Sequence, residues 1–307
     1  IDHFSLLYGA AIDVRLTDPD ASSFTIHIGD GEMSPAALMI RDVSLTSYHF
    51  CQLNPFVGAP LPCNVTQENA EFFLYYIWGY PHFRWGQYEA VQRTLLQRDS
   101  IVLLPTGSGK SIIFQLSALL LPGITMVISP LKALIVDQLN NLRGKGIDIA
   151  AARFSGEQEF ARDLDKRNAA LFDSHSTAMY YIAPERLVIP AFRKEIAALQ
   201  ENENFTFIAF DEAHCVSEWG HDFRPAYLQA GKTCRDLFQE QGRPLPFLAL
   251  TGTASDDVLK DIRRDLGVVS PDAVLAPPEF DRPELHYLTI RSGTGKADDK
   301  PALLENM

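Results

Sequence analysis

The chain has 307 residues, 46% of them apolar and 21% charged, with a formal net charge of −12. That length holds one large or two modest domains with a full core. The acidic balance excludes nucleic-acid binding through a global positive field, so any such contact has to come from a local basic or aromatic patch. The four cysteines, Cys51, Cys63, Cys215 and Cys234, form no C-x-x-C pair, and no His pair stands at zinc-ligand spacing, which reads as reduced cytosolic thiols. No apolar run of about 18 residues implies a membrane span, and Ile1 opens no signal peptide, so the chain reads as a piece of a longer protein.

In residues 1–66, Phe24, Ile26 and Ile28 alternate with Thr25 and His27 ahead of Gly29-Asp30-Gly31, which predicts a strand entering a hairpin. Asn54 to Pro62 is rich in Pro and Gly and reads as a linker. This extension is either the end of an upstream β-rich domain or an embellishment on the core. Residues 66–99 predict helix, turn, helix, with Thr66 as the first cap and residues 71–77 as the apolar face. Between them stands Trp78-Gly79-Tyr80-Pro81-His82-Phe83-Arg84-Trp85-Gly86-Gln87, an aromatic cluster that by itself reads as core.

Residues 100–104 predict a buried strand, and residues 104–111 read Leu-Pro-Thr-Gly-Ser-Gly-Lys-Ser. Gly109, Lys110 and Ser111 match the phosphate-loop pattern G-x-x-x-x-G-K-[ST], with Leu104 in place of the first Gly. In such a loop, here Thr106-Gly107-Ser108-Gly109, glycines let backbone N–H groups turn toward phosphate, and the helix start adds partial positive charge. Lys110 would reach the β- and γ-phosphates and Ser111 would complete a Mg²⁺ shell. A strand over 125–129 ends in Ser129-Pro130-Leu131-Lys132, followed by a helix through Leu142. A strand over 149–154 and a charged helix over 158–171 carry no chemistry. A strand over 179–182 leads into Ala183-Pro184-Glu185-Arg186-Leu187.

The run Phe207-Ile208-Ala209-Phe210 is too short for a helix and predicts a buried strand. It stops at Asp211-Glu212, at the strand end where ligands bind in open parallel sheets. Asp211 would hold Mg²⁺, and Glu212 would orient and deprotonate an attacking water. His214 stands at a spacing that links this pair to neighbouring motifs. Trp219-Gly220-His221-Asp222-Phe223-Arg224-Pro225 follows, then a strand over 245–250 ending in Thr251-Gly252-Thr253-Ala254. Strands alternate with helices throughout 100–275, the α/β pattern of a parallel sheet with right-handed crossovers.

From about Phe73 to Tyr287 the chain resembles the RecQ-type DNA helicases of helicase superfamily 2, on the ordered motifs YPHFRWGQ, LLPTGSGKS, VISPLKALIVDQ, YYIAPERL, FDEAHCVSEWGHDFRPAY and LALTGTAS. The resemblance implies a RecA-like P-loop domain over 67–279, a small β-containing N-terminal extension over 1–66, and over 280–307 a connector, Asp281-Arg282-Pro283-Glu284-Leu285, into a second motor domain. It implies ATP with Mg²⁺ as cofactors, with Tyr80 stacked on adenine, Gln87 hydrogen-bonded to its edge and Arg84 fixing the segment or the nucleotide. Ser129 and Lys132 would donate to the phosphodiester backbone of single-stranded DNA. Arg186 would lie on the DNA side, or pair locally with Glu185. Trp219 and Phe223 would stack on bases beside His221, and Arg224 would bind phosphate or report DNA to Glu212. Thr251 and Thr253 would connect the ATP site to DNA through His214; Gly252 stands where the family commonly has Ala, which loosens that loop.

The implied activity is ATP-driven 3′-to-5′ movement on single-stranded or forked DNA, in DNA repair or genome defence. The implied partners are DNA and a second RecA-like domain of the same chain, without a membrane, in a bacterial cytosol or nucleoid. Residues 1–307 alone, lacking that second domain's arginine, would hydrolyse ATP little above background. Two rivals remain at this stage: a translocase that remodels DNA–protein complexes, and a non-catalytic ATP-gated DNA-binding module, against which the intact Lys110 and Glu212 argue.

Overall fold

The computed structural model describes residues 65–277 except 106, 122, 148, 154–176, 202, 218–224, 239–243 and 253, together with the backbone of five strands ahead of residue 65. By contacts the chain divides into Ile1–Pro277 and Pro278–Met307, and the second unit lies outside the described residues.

The five early strands are β1 (Ile12–Leu16), β2 (Phe24–Ile28), β3 (Gly31–Glu32), β4 (Leu38–Asp42) and β5 (Ser47–Cys51). β1, β2 and β3 form an antiparallel sheet, and β4 pairs antiparallel with β5. The alternation at 24–28 is therefore a strand, paired with β3 as the hairpin reading required. The expected linker at 54–62 and the charged helix at 158–171 lie outside the described residues.

After these strands come α1 (Gln67–Trp78), whose Thr66 cap accepts from Asn69 N, and α2 (Gln87–Leu95). Then come β6 (Ser100–Leu103), α3 (Lys110–Leu120), β7 (Ile124–Ile128), α4 (Lys132–Arg143), β8 (Ala150–Arg153) and β9 (Met179–Ile182). The remainder is α5 (Pro190–Gln200), β10 (Phe205–Phe210), α6 (Pro225–Leu228), α7 (Ala230–Leu237), β11 (Phe247–Thr251), α8 (Asp256–Leu266) and β12 (Val274–Leu275). The helix starting at Lys132 runs one residue past its expected end, β10 begins two residues earlier than expected, and β11 begins two residues later.

β6 to β12 form one seven-stranded parallel sheet in the order β12-β6-β11-β10-β7-β9-β8. All six residues of β10 are buried, as expected of a central strand covered on both faces. Successive strand side chains point to opposite faces: Val102 joins the core under α1–α4, while Ile101 and Leu103 join the core under α5, α7 and α8. No helix among the described residues is long and apolar enough to cross a membrane.

The strand order positions the chemistry. β11 stands between β6 and β10, so the loop after β6, Thr251 at the end of β11 and the carboxylates after β10 form one row. Neighbouring strands lie about 4.8 Å apart, which brings together groups more than a hundred residues apart in sequence.

Candidate active site

At the end of β6 the backbone continues the ladder, with Leu104 N donating to Thr251 O at 3.0 Å. The chain then turns through Gly107 and Gly109, with φ of 80° and 81°, a left-handed backbone that costs glycine nothing. Gly109 caps α3, so the unpaired N–H groups of that helix open on the loop, the arrangement that receives phosphate. Lys110 Nζ donates to Leu104 O at 3.3 Å: the residue standing where the motif has its first Gly supplies a carbonyl for the lysine. Ser111 occupies the next position of α3, and Thr106 lies outside the described residues.

The aromatic segment ahead of α2 closes over this loop. Arg84 Nη1 donates to Gly107 O at 2.6 Å. Gln87 is 3% exposed. Its Nε2 donates to Ser108 O at 2.8 Å and Gly109 O at 3.2 Å, and its Oε1 accepts from Arg84 N at 2.9 Å. A cleft of about 180 Å³ lies here, lined by Tyr80, Arg84, Gln87, Gly107 and Ile112 among others, with Tyr80 48% exposed. From α1, Glu71 pins the segment by accepting from Phe83 N and by meeting His82 Nδ1, each at 3.2 Å.

Across β11 stand the two carboxylates. Asp211 is 7% exposed; its Oδ2 accepts from Gln138 Nε2 at 3.0 Å and lies 3.5 Å from Ser129 Oγ, and its Oδ1 accepts from Glu212 N at 3.1 Å. Burial, and then the charge of Glu212, push its carboxyl up to about 6. Glu212 moves the other way, below its ordinary value, first through its bond to His214. Its backbone is left-handed, φ 50° and ψ 50°, an uncommon conformation outside glycine that turns the chain abruptly off β10. His214 Nδ1 lies 3.3 Å from Glu212 Oε2 and 3.0 Å from Thr251 Oγ1. Cys215 and Glu212 together raise the imidazole to about 10, which favours its charged form. Lys110 exerts a favourable charge effect on both carboxylates, which ties the phosphate loop electrostatically to the acid pair.

Two adjacent carboxylates, one of them buried and forced upward, make a site short of positive charge. Among the described residues no group of three or more His, Cys, Asp or Glu could hold a metal ion. Mg²⁺ does not need one, since it takes one or two carboxylates with phosphate and water oxygens. Asp211 with the Ser111 hydroxyl is a hard-oxygen donor set that fits it.

The expected nucleic-acid residues are distributed differently. Ser129 is fully buried with its hydroxyl toward Asp211, so here it supports the carboxylate rather than opening to an outer phosphate. Lys132 is exposed at the start of α4. The Arg186 guanidinium lies 5.2 Å from the Phe192 ring centroid, with its Nε buried and without a hydrogen-bond partner among the described residues. Trp219, His221, Phe223, Arg224 and Thr253 lie outside the described residues. Sequence reasoning missed Gln138, Glu71 and Tyr227. The Tyr227 hydroxyl is buried within reach of Ile128 O at 3.1 Å and Asp211 O at 2.9 Å, tying β7 to the acid pair. Gln138 and Tyr227 close two of the motifs that carry the resemblance, VISPLKALIVDQ and FDEAHCVSEWGHDFRPAY, but were given no role there; Glu71 lies in no motif.

A DEAD/DEAH box helicase family model matches residues 84–262. The chain is 37% identical over 226 residues to the ATP-dependent DNA helicase RecQ of Pasteurella multocida, covering 73% of this chain and 33% of that protein. It is 36% identical over 224 residues to the ATP-dependent DNA helicase Q-like 4B of Arabidopsis thaliana, covering 73% of this chain and 19% of that one. It thus spans a third or less of the length of both relatives. Among solved structures it is similar to the Hef helicase domain of Pyrococcus furiosus, at 16% identity and a TM-score of 0.43, over 62% of this chain and 38% of that one.

Proposed function

We propose, from the premise that this chain belongs to the DEAD/DEAH box helicase family as a RecQ-type motor domain, that the full-length protein couples ATP hydrolysis to 3′-to-5′ movement along single-stranded DNA and opens forked duplexes. The observation that carries this reading is the row of strand ends: phosphate loop, Thr251, and the Asp211–Glu212 pair joined to Thr251 by His214.

The chain's own groups divide the work. The N–H groups at the start of α3 and the Lys110 ammonium hold the phosphates. Asp211 and Ser111 would hold Mg²⁺, which supplies charge neutralisation on the β- and γ-phosphate oxygens. Glu212 orients the attacking water and accepts its proton. His214, cationic and bonded to Glu212, keeps that carboxylate ionised and aimed. Tyr80 and Gln87 receive adenine beside the loop. Phosphoryl transfer needs positioning and charge neutralisation more than covalent chemistry, and these residues supply both. Lys132, Arg186 and the segment Trp219, His221, Phe223 and Arg224 form the DNA side, and Thr251 and Thr253 connect it to the nucleotide through His214. A second RecA-like domain of the same protein would close the cleft, with the protein at work in the cytoplasm.

The test is ATP turnover by the full-length protein with and without single-stranded DNA, and unwinding of forks carrying a 3′ or a 5′ loading strand. Turnover should rise with DNA, and only the 3′ loading strand should support unwinding. Lys110→Ala should weaken nucleotide binding, while Glu212→Gln should bind nucleotide and lose turnover by at least about 10²-fold, the scale of a lost general base. Full turnover by Glu212→Gln would overturn the role given to that carboxylate, and absence of any DNA-dependent turnover in the unmutated protein would overturn the helicase reading.

A further inference from the structure

Gln138 sits on α4, six residues after Lys132, with its amide turned to the acid pair. Its Nε2 donates to Asp211 Oδ2 at 3.0 Å, while its Oε1 is buried with no hydrogen-bond partner among the described residues. A buried acceptor without a partner destabilises a fold, and an apolar side chain of the same length would avoid that loss. Packing alone therefore does not account for an amide at this position; what the amide adds is the donated hydrogen.

Asp211 depends on that hydrogen. Among the described residues its Oδ2 has besides only the Ser129 hydroxyl, at the long distance of 3.5 Å. Its Oδ1 is met by Glu212 N, a bond that belongs to the turn itself and does not fix the far oxygen. A carboxylate that serves as a metal ligand needs its orientation set by such an outer hydrogen bond, because cation affinity falls when the ligand has to be ordered on binding. Gln138 is anchored in turn: Ile135, Leu139 and Leu142, on the adjoining face of α4, are buried in the core, so the amide is delivered from a packed helix.

We propose that Gln138 is a positioning residue that orients Asp211 for a divalent cation. The inference rests on the reading of Asp211 as the cation ligand, and it assigns to α4 a direct hold on the hydrolysis site, on the same helix whose first residue is Lys132.

The experiment measures ADP affinity of the full-length protein by fluorescence, first in EDTA and then across a Mg²⁺ titration. It compares the unmutated protein with Gln138→Met, which keeps length and removes the donor, and with Gln138→Ala; thermal melting establishes that each variant is folded. The expected result is unchanged ADP affinity in EDTA and a Mg²⁺ half-saturation raised about 10–100-fold, the scale of a lost outer-sphere bond. An unchanged half-saturation in a folded variant overturns the proposal. So does an equal loss of ADP affinity in EDTA, which marks a residue that only supports the local fold. If the unmutated protein binds ADP with the same affinity at every Mg²⁺ concentration, the cation reading of Asp211 fails first and Gln138 falls with it; a Mg²⁺ response that survives substitution removes Gln138 alone.

Discussion

Replacing Gln87 with alanine should damage both base selection and the phosphate loop, and the geometry says in what proportion. Both hydrogens of Nε2 go to Ser108 O and Gly109 O, and one lone pair of Oε1 goes to Arg84 N. One valency remains, the second lone pair of Oε1, which takes a donor. Adenine offers an amino group on the edge where guanine offers a carbonyl oxygen, so the amide can favour adenine without releasing the loop. Alanine removes three neutral hydrogen bonds, made to two half-buried carbonyls and an N–H at the cleft, a loss of about 2–4 kcal/mol at the usual net value per bond. For a domain of this size that is a fall in Tm of about 6–12 °C. Base preference should fall by roughly tenfold, the value of one hydrogen bond. The assay is thermal melting of the nucleotide-free protein together with ADP and GDP affinities. Gln87→Glu sharpens it: an oxygen replaces Nε2 against two carbonyl oxygens, and this variant should lose stability as pH rises and its carboxyl ionises. Unchanged Tm in both variants would refute the brace. Equal ADP and GDP affinity in the unmutated protein would refute the base contact.

Two further perturbations act on the acid pair from opposite sides. Tyr227→Phe keeps the buried ring and removes the hydroxyl that reaches Ile128 O and Asp211 O; denaturant unfolding should show a loss of about 1–3 kcal/mol, and an unaltered midpoint would mean the hydroxyl holds nothing. The His214–Glu212 pair has a pH signature. His214 is raised to about 10, so its contribution to stability is complete below the ordinary imidazole value of 6.5 and is lost as pH rises toward 10. Glu212 is lowered, so its contribution is present above the ordinary carboxyl value and is lost as pH falls through its native one. The Tm difference between the unmutated protein and His214→Asn should therefore shrink at both ends of a melting series from acid to pH 10; a difference independent of pH would separate His214 from Glu212.

Fold class was legible in the sequence because the central strands are short, continuously apolar and separated by helical patterns. Phe207 to Phe210 could be nothing but a strand covered on both faces, and β10 is buried throughout. The phosphate loop was legible for a similar reason: backbone conformation is written in Gly107 and Gly109, which take the left-handed turns that the pattern demands. Strand order was not legible from alternation alone. It decides that Thr251, not Ser129, stands between the loop and the carboxylates, and hence that Ser129 is enclosed rather than open to an outer phosphate. Side-chain partners across elements were less legible still. Gln138 closes the motif VISPLKALIVDQ, but its partner is not legible until α4 is laid beside β10. Gln87 was expected to meet the base, and only the packed structure shows it spending most of its hydrogen-bonding capacity on the loop.

The acid pair then reads as two carboxylates separated by their surroundings rather than by their chemistry. Both follow one strand, one residue apart, on a chain of net charge −12. Asp211 is turned inward, where burial and its neighbour's charge favour the protonated form. Glu212 is turned by its left-handed backbone toward a cationic imidazole that favours the ionised form. A site that drives two titratable groups apart in this way assigns them different tasks. Under the proposed reading the inward group would be the cation ligand, while the outward one is held ionised by its counter-charge. His214 makes that division responsive to its neighbours, because the nitrogen that faces Glu212 also faces Thr251 at the end of β11. Under the proposed reading, the imidazole shared between these two adjacent strand ends is where nucleotide chemistry would meet movement of β11.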